Sequence, residues 1–247
     1  MDGEAKVGAP LLFALELAIL YAAGSYAMGC LIGISGFGGG GTILSRMVFY
    51  LLVFPGVVLH EGAHYLACLL TGTKVVRFAP FSPRTSADGR LLLGYVRHER
   101  RAFPIEAIIG LAPVLLNPLG LLLITALLTP LSLQEVANPS IGVVKVRILT
   151  SGFLTDTPLL AAVWVYLSLS CALGSVPSRE DLSSLPVLLL LFGGGIFLLG
   201  LSAQGSQSIL SLALDDLSTL AVGLYALPAT VAAVAAMIGL WGRVIRY

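Results

Sequence analysis

The chain has 247 residues, of which 57% are hydrophobic and 11% charged, with a mean hydropathy of +0.96. A soluble domain carries roughly 25% charged residues, so the composition excludes an ordinary soluble globular fold and points to the membrane. Lysines and arginines number 14 against 13 aspartates and glutamates, a balance that gives no sign of nucleic-acid binding.

Met1 to Pro10 contains Asp2, Glu4 and Lys6. It lacks the basic n-region and clear cleavage site of a signal peptide, so the first apolar run reads as a retained span. A spanning helix needs about 20 mainly apolar residues. Six stretches qualify: 11–33, 47–71, 104–128, 158–176, 185–203 and 219–242. The expected fold is therefore an all-α polytopic membrane protein of about six helices, with residues 1–247 forming a single domain. Gly36-Phe37-Gly38-Gly39-Gly40-Gly41 after the first run lacks the pattern of a phosphate loop and reads as a turn. Cys30, Cys68 and Cys171 lie in separate apolar runs without CxxC spacing and read as small buried residues.

The connection 73–103 carries Lys74, Arg77, Arg84, Arg90, Arg97, Arg100 and Arg101, seven of the 14 basic residues. The positive-inside rule assigns it to the cytoplasm. Six spans then bring both termini inside, with 11 basic residues inside against Arg46, Lys145 and Arg147 outside. Lys74 to Phe81 and Leu91 to Val96 are β-prone, with a turn signal at Ser86-Ala87-Asp88-Gly89 between them. The connection thus reads as a cytoplasmic β-hairpin after the second span. It offers either an edge for an extended substrate or a basic surface for anionic headgroups. Residues 129–157 exceed a simple turn and leave room for a re-entrant or surface segment.

The second run carries His60-Glu61-Gly62-Ala63-His64. Histidines four apart on a helix project from one face, one turn apart. Two imidazoles at that spacing can hold a zinc ion, and the glutamate between them can act as general base. A charged residue near mid-span costs about 2.5–3.5 kcal/mol on the insertion scale, so such a group faces a cavity or a partner. The alternative is a polar cluster that only bonds neighbouring helices.

A catalytic zinc usually has three protein ligands. His98 sits among Arg97, Glu99, Arg100 and Arg101 and reads as a solvated loop histidine. Glu16 and Glu106 are carboxylates in apolar runs without a supporting motif. Pro177-Ser178-Arg179-Glu180-Asp181-Leu182 follows the fourth span, on the side toward which the HExxH helix runs. Ser178 is a candidate helix cap with Asp181 in the first turn, either an inward carboxylate or part of a plain capping loop.

With these residues the chain resembles the site-2 protease family of intramembrane zinc metalloproteases, over roughly residues 47–185. The resemblance implies Zn²⁺ held by His60, His64 and a distant aspartate, carried over here to Asp181, with Glu61 activating water as general base. The family's usual LDG is absent; the local string Ser-Arg-Glu-Asp-Leu is closer to a small divergent branch, and Glu180 stays open as the ligand. Gly110-Leu111-Ala112-Pro113-Val114-Leu115-Leu116-Asn117-Pro118 looks like the family segment that faces the active site. Asn117 then binds substrate backbone or helps hold the oxyanion, or else satisfies carbonyls freed by Pro113 and Pro118. No PDZ-like domain is visible, unlike larger members.

The expected activity is hydrolysis of peptide bonds in membrane-anchored proteins near the cytoplasmic leaflet. The partners are the substrate protein and the lipid bilayer, with no nucleic acid; oligomeric state is open. Alternatives are a zinc-dependent hydrolase of a lipid amide, a metal-handling transporter or an inactive relative. The transporter reading lacks the paired repeat such folds commonly show, and an intact Glu61 argues against inactivity.

Overall fold

The structure, a computed structural model, describes residues 5–37, 41–86, 91–132, 135, 153–176, 181 and 228–239. It is mostly helical. In chain order the elements are α1 (Ala5–Ile34), α2 (Ile43–Leu70), β1 (Val75–Ala79), β2 (Arg84–Thr85), β3 (Leu91–Leu92), β4 (Tyr95–His98), α3 (Ile105–Leu128), α4 (Phe153–Asp156) and α5 (Pro158–Gly174). A further apolar helix, α6, covers Pro228–Gly239.

Three helices are long and apolar enough to cross a membrane: α1 over Leu15–Ile34, α2 and α3. They coincide with the first three expected spans. The fourth expected span ends early, because α5 has 17 residues and stops at Gly174. At 1.5 Å per residue it is about 25 Å long, short of the roughly 30 Å hydrocarbon core. The fifth, 185–203, lies outside the described residues, and the sixth is described only over 228–239.

Local chemistry sets the limits of α2. It begins at Ile43, earlier than the hydropathy implied, because Thr42 caps it: the Thr42 hydroxyl accepts from Ser45 N at 3.1 Å. It ends in paired bonds from Thr73 N to Cys68 O (2.8 Å) and from Gly72 N to Leu69 O (3.2 Å). This closure needs a left-handed residue, supplied by Gly72 at φ 64°.

Helices α2, α3 and α5 pack against one another pairwise and form the centre of the described structure; α1 packs on α5 and α2. The α2–α5 contact is backbone against backbone. A Cβ on Gly56 would strike the Ser170 carbonyl, and one on Gly174 would strike the Gly56 carbonyl. Ser170 Oγ accepts from Gly56 N at 2.8 Å, locking the crossing one turn before His60. On the α3 side, a Cβ on Gly120 would stand 2.7 Å from Leu59 Cδ2. Cys30, Cys68 and Cys171 are all buried and unbridged.

The 73–103 connection is a broken hairpin: β1 pairs antiparallel with β4, and β2 with β3. The expected strands are interrupted between these pairs, where Pro80 and Pro83 bring no amide donor to the ladder. The expected turn at 86–89 lies mostly outside the described residues. The hairpin does not project from the end of α2 but runs back along it. Phe78 stacks on Tyr65 with ring centroids 4.6 Å apart, and Phe81 meets Phe54 at 5.0 Å and Tyr50 at 6.1 Å. Leu91 and Leu93 join Phe81 on the buried cluster of Phe49, Val53 and Val57. Arg77 and Arg97 oppose each other on the other face, where Arg77, Arg84 and Arg97 all stand over the Tyr95 ring, at 5.8, 4.5 and 5.6 Å.

Candidate metal centre

Helical spacing brings the two histidines of α2 together, with ring centroids 5.0 Å apart. Asp181, more than a hundred residues later in the chain, is buried against both. His60 Nε2 lies 3.4 Å from Asp181 Oδ2, and His64 Nε2 lies 3.2 Å from Asp181 Oδ1. Ligand atoms at about 2.0–2.1 Å from a tetrahedral zinc stand about 3.3 Å from one another. The donor set of two imidazoles and one carboxylate, and its spacing, therefore fit zinc. It is the group among the described residues with metal-holding geometry, its ligand atoms all within 4.8 Å of one another. A hydrogen-bonded ion pair would show similar separations, so the fit concerns dimensions and chemistry.

The far side of each imidazole is also held. His60 Nδ1 lies 2.8 Å from Gly174 O, and His64 Nδ1 lies 2.8 Å from Ile109 O. Each ring thus has one nitrogen on a backbone carbonyl and the other toward Asp181. The Gly174 carbonyl is available because it ends α5, where the last carbonyls have no partner within the helix.

Asn117 is fully buried on α3, and its Nδ2 donates to Gly174 O at 2.6 Å. One carbonyl thus receives both Asn117 and His60. The asparagine pairs with a neighbouring helix rather than with a carbonyl of its own. Glu61 sits under the hairpin, where a Cβ on Gly94 would stand 2.7 Å from Glu61 Cγ. The strand break at Leu93–Gly94 therefore passes over the expected base.

The other considered residues lie apart from this group. His98 and Glu106 approach each other at 4.0 Å at the base of the hairpin. There Glu106 accepts from Arg101 N, while Arg101 Nη2 donates to Gly72 O, tying the start of α3 to the end of α2. Glu16 is buried on α1. Glu180 lies outside the described residues, as does the expected cap Ser178. The Gly174 and Ile109 carbonyls and the Gly94 crossing were not foreseen; backbone groups leave no residue-type signal of their own.

The fold and site define a class: a mostly helical protein with apolar helices able to cross a membrane and a His–His–Asp group of metal-binding dimensions. Compared with known protein families, curated proteins and solved structures, the chain matches none of them.

Proposed function

We propose that the chain is an intramembrane zinc metallopeptidase resembling the site-2 proteases, with about six spans and both termini cytoplasmic, cutting membrane-anchored proteins near the cytoplasmic leaflet. The observation that carries this reading is the meeting of His60 and His64 with Asp181, a donor more than a hundred residues further along the chain, beside an intact Glu61. A zinc ion held by those three residues would acidify a water molecule and polarise the scissile carbonyl.

The protein's own groups do the rest. Glu61 takes a proton from the attacking water and delivers it to the leaving amine. The two backbone carbonyls keep the imidazoles oriented. With α2 crossing the membrane, the hairpin lying along it re-enters the bilayer. Arginines and strand backbone at that depth require hydrated or protein-lined surroundings. The Arg77–Arg84–Arg97 face points away from α2 and meets those surroundings, while Glu61 lies beneath the hairpin. The substrate enters as an extended segment, because a helix hides its carbonyls in its own hydrogen bonds. A hairpin edge beside the site, unpaired by any other strand among the described residues, suits such a substrate.

The test is zinc content and cleavage activity of detergent-purified protein. Wild type should hold near-stoichiometric zinc, His64→Ala and Asp181→Ala should lose it, and Glu61→Gln should keep it while losing cleavage of a membrane-anchored peptide. Folded wild type without zinc would defeat the reading and leave a polar helix-packing cluster. Zinc retained in Asp181→Ala would transfer the third ligand elsewhere, with Glu180 tested next.

A further inference from the structure

Prolines inside the central helices include Pro55 in α2, and Pro113 and Pro118 in α3. In an α-helix the N–H of residue i bonds the carbonyl of residue i−4. Proline has no N–H, and its ring pushes against that same carbonyl, so each interior proline leaves one acceptor unclaimed. For Pro55 the released carbonyl is that of Leu51, and the Tyr166 hydroxyl donates to it at 2.7 Å. For Pro113 it is that of Ile109, and its new partner is His64 Nδ1 at 2.8 Å.

We propose that Pro113 is a positioning residue for the metal-binding group: by withholding an N–H it releases the Ile109 carbonyl to His64, which turns His64 Nε2 toward Asp181. The inference rests on the zinc reading above. His60 supports it independently, because its Nδ1 also meets a carbonyl without a helical partner, Gly174 at the end of α5. Two different devices, an interior proline and a helix end, thus put a carbonyl without a partner in its own helix behind each imidazole. Pro113 itself is fully buried and Ile109 nearly so, which leaves little room for another donor to replace the missing amide. In a membrane helix the carbonyl that a proline frees must find another partner, and here that partner is His64.

Restoring the amide separates this role from packing. Pro113→Ala supplies an N–H that competes with His64 for the Ile109 carbonyl, and it removes a helix breaker at the same time. Pro113→Val does the same while staying nearer to proline in volume. Pro55→Ala is the matched control, since it returns an amide to a carbonyl that serves Tyr166. The full chain, purified in detergent and stripped of metal, is measured for thermal unfolding and for zinc affinity by competition with a chelating dye. Both Pro113 variants should unfold at or above the wild-type temperature when metal-free, yet bind zinc about 10–100-fold more weakly. Pro55→Ala should bind as wild type does.

Wild-type affinity in the Pro113 variants would overturn the inference and leave the zinc reading standing. So would an equal loss in Pro55→Ala, which would make the effect a general loosening of helices. Unfolding of both Pro113 variants would assign the residue to packing and overturn the inference as well. A folded wild type that binds no zinc would remove the zinc reading, and this inference with it.

Discussion

A buried asparagine brings both a donor and an acceptor that need partners. Asn117 satisfies its donor on Gly174 O, while its Oδ1 is buried without a hydrogen-bond partner among the described residues. Asn117→Asp keeps the shape but turns a carboxyl oxygen toward the Gly174 carbonyl, which His60 also uses. If the asparagine steadies that carbonyl for His60, zinc affinity falls about 10–100-fold, the range seen when the groups behind metal ligands are lost. If it serves substrate alone, zinc affinity measured by chelator competition stays at wild type and only the kinetics change. At this scale the sequence was legible where chemistry rests on side-chain identity and close spacing. His60, Glu61 and His64 announced themselves through a helical period. Asp181 was readable as a candidate, but nothing in its local string fixed where the chain returns to α2. The carbonyls behind the imidazoles were hidden because every residue has one.

At the scale of elements, glycine decides how closely α2 and α5 approach. Gly174→Val would drive a side chain into the Gly56 backbone, and rigid backbone cannot yield as a flexible side-chain tip can. Overpacking of a filled interior typically costs about 1–3 kcal/mol. This contact also carries the carbonyl used by His60, so Gly174→Val should lower both the unfolding temperature and zinc retention. Gly62→Ala is the contrast, because a Cβ there meets nothing within 4 Å. It should be neutral or stabilise by up to about 1 kcal/mol, the helix preference of alanine over glycine. A thermal melt that ranks the two the other way would refute the backbone-contact argument. Gly94→Val tests the hairpin: a branched side chain at the crossing meets Glu61 Cγ, so cleavage should fall while zinc is retained. The ends of α2 and α3 were readable to within a few residues from apolar run length. The course of the hairpin was not, because strand alternation shows which residues share a face and not what that face covers. Its aromatic partners on α2, Tyr50, Phe54 and Tyr65, looked from sequence like ordinary residues of a spanning helix.

For the whole molecule, the site joins segments that are otherwise far apart in the chain. Its three side chains come from α2 and from Asp181, and the carbonyls behind the imidazoles from α3 and the end of α5. A metal ion bound there would close a loop of more than a hundred residues around the α2–α3–α5 centre. A ligand that binds the folded state alone stabilises it by RT ln(1 + [L]/Kd), about 2.7 kcal/mol at a hundredfold excess over Kd. Excess zinc should therefore raise the unfolding temperature of the chelator-stripped wild type, and renewed chelation should reverse the gain. His64→Ala and Asp181→Ala should show no such response, because each removes a donor that closes the loop. Glu61→Gln should respond as wild type does, since in this reading Glu61 handles protons and not the metal. This comparison separates binding from catalysis without a substrate in hand. Equal shifts in all four proteins would mean that zinc stabilises from elsewhere on the surface. No shift in wild type, at zinc well above micromolar, would mean that the three side chains pair with one another and hold no metal.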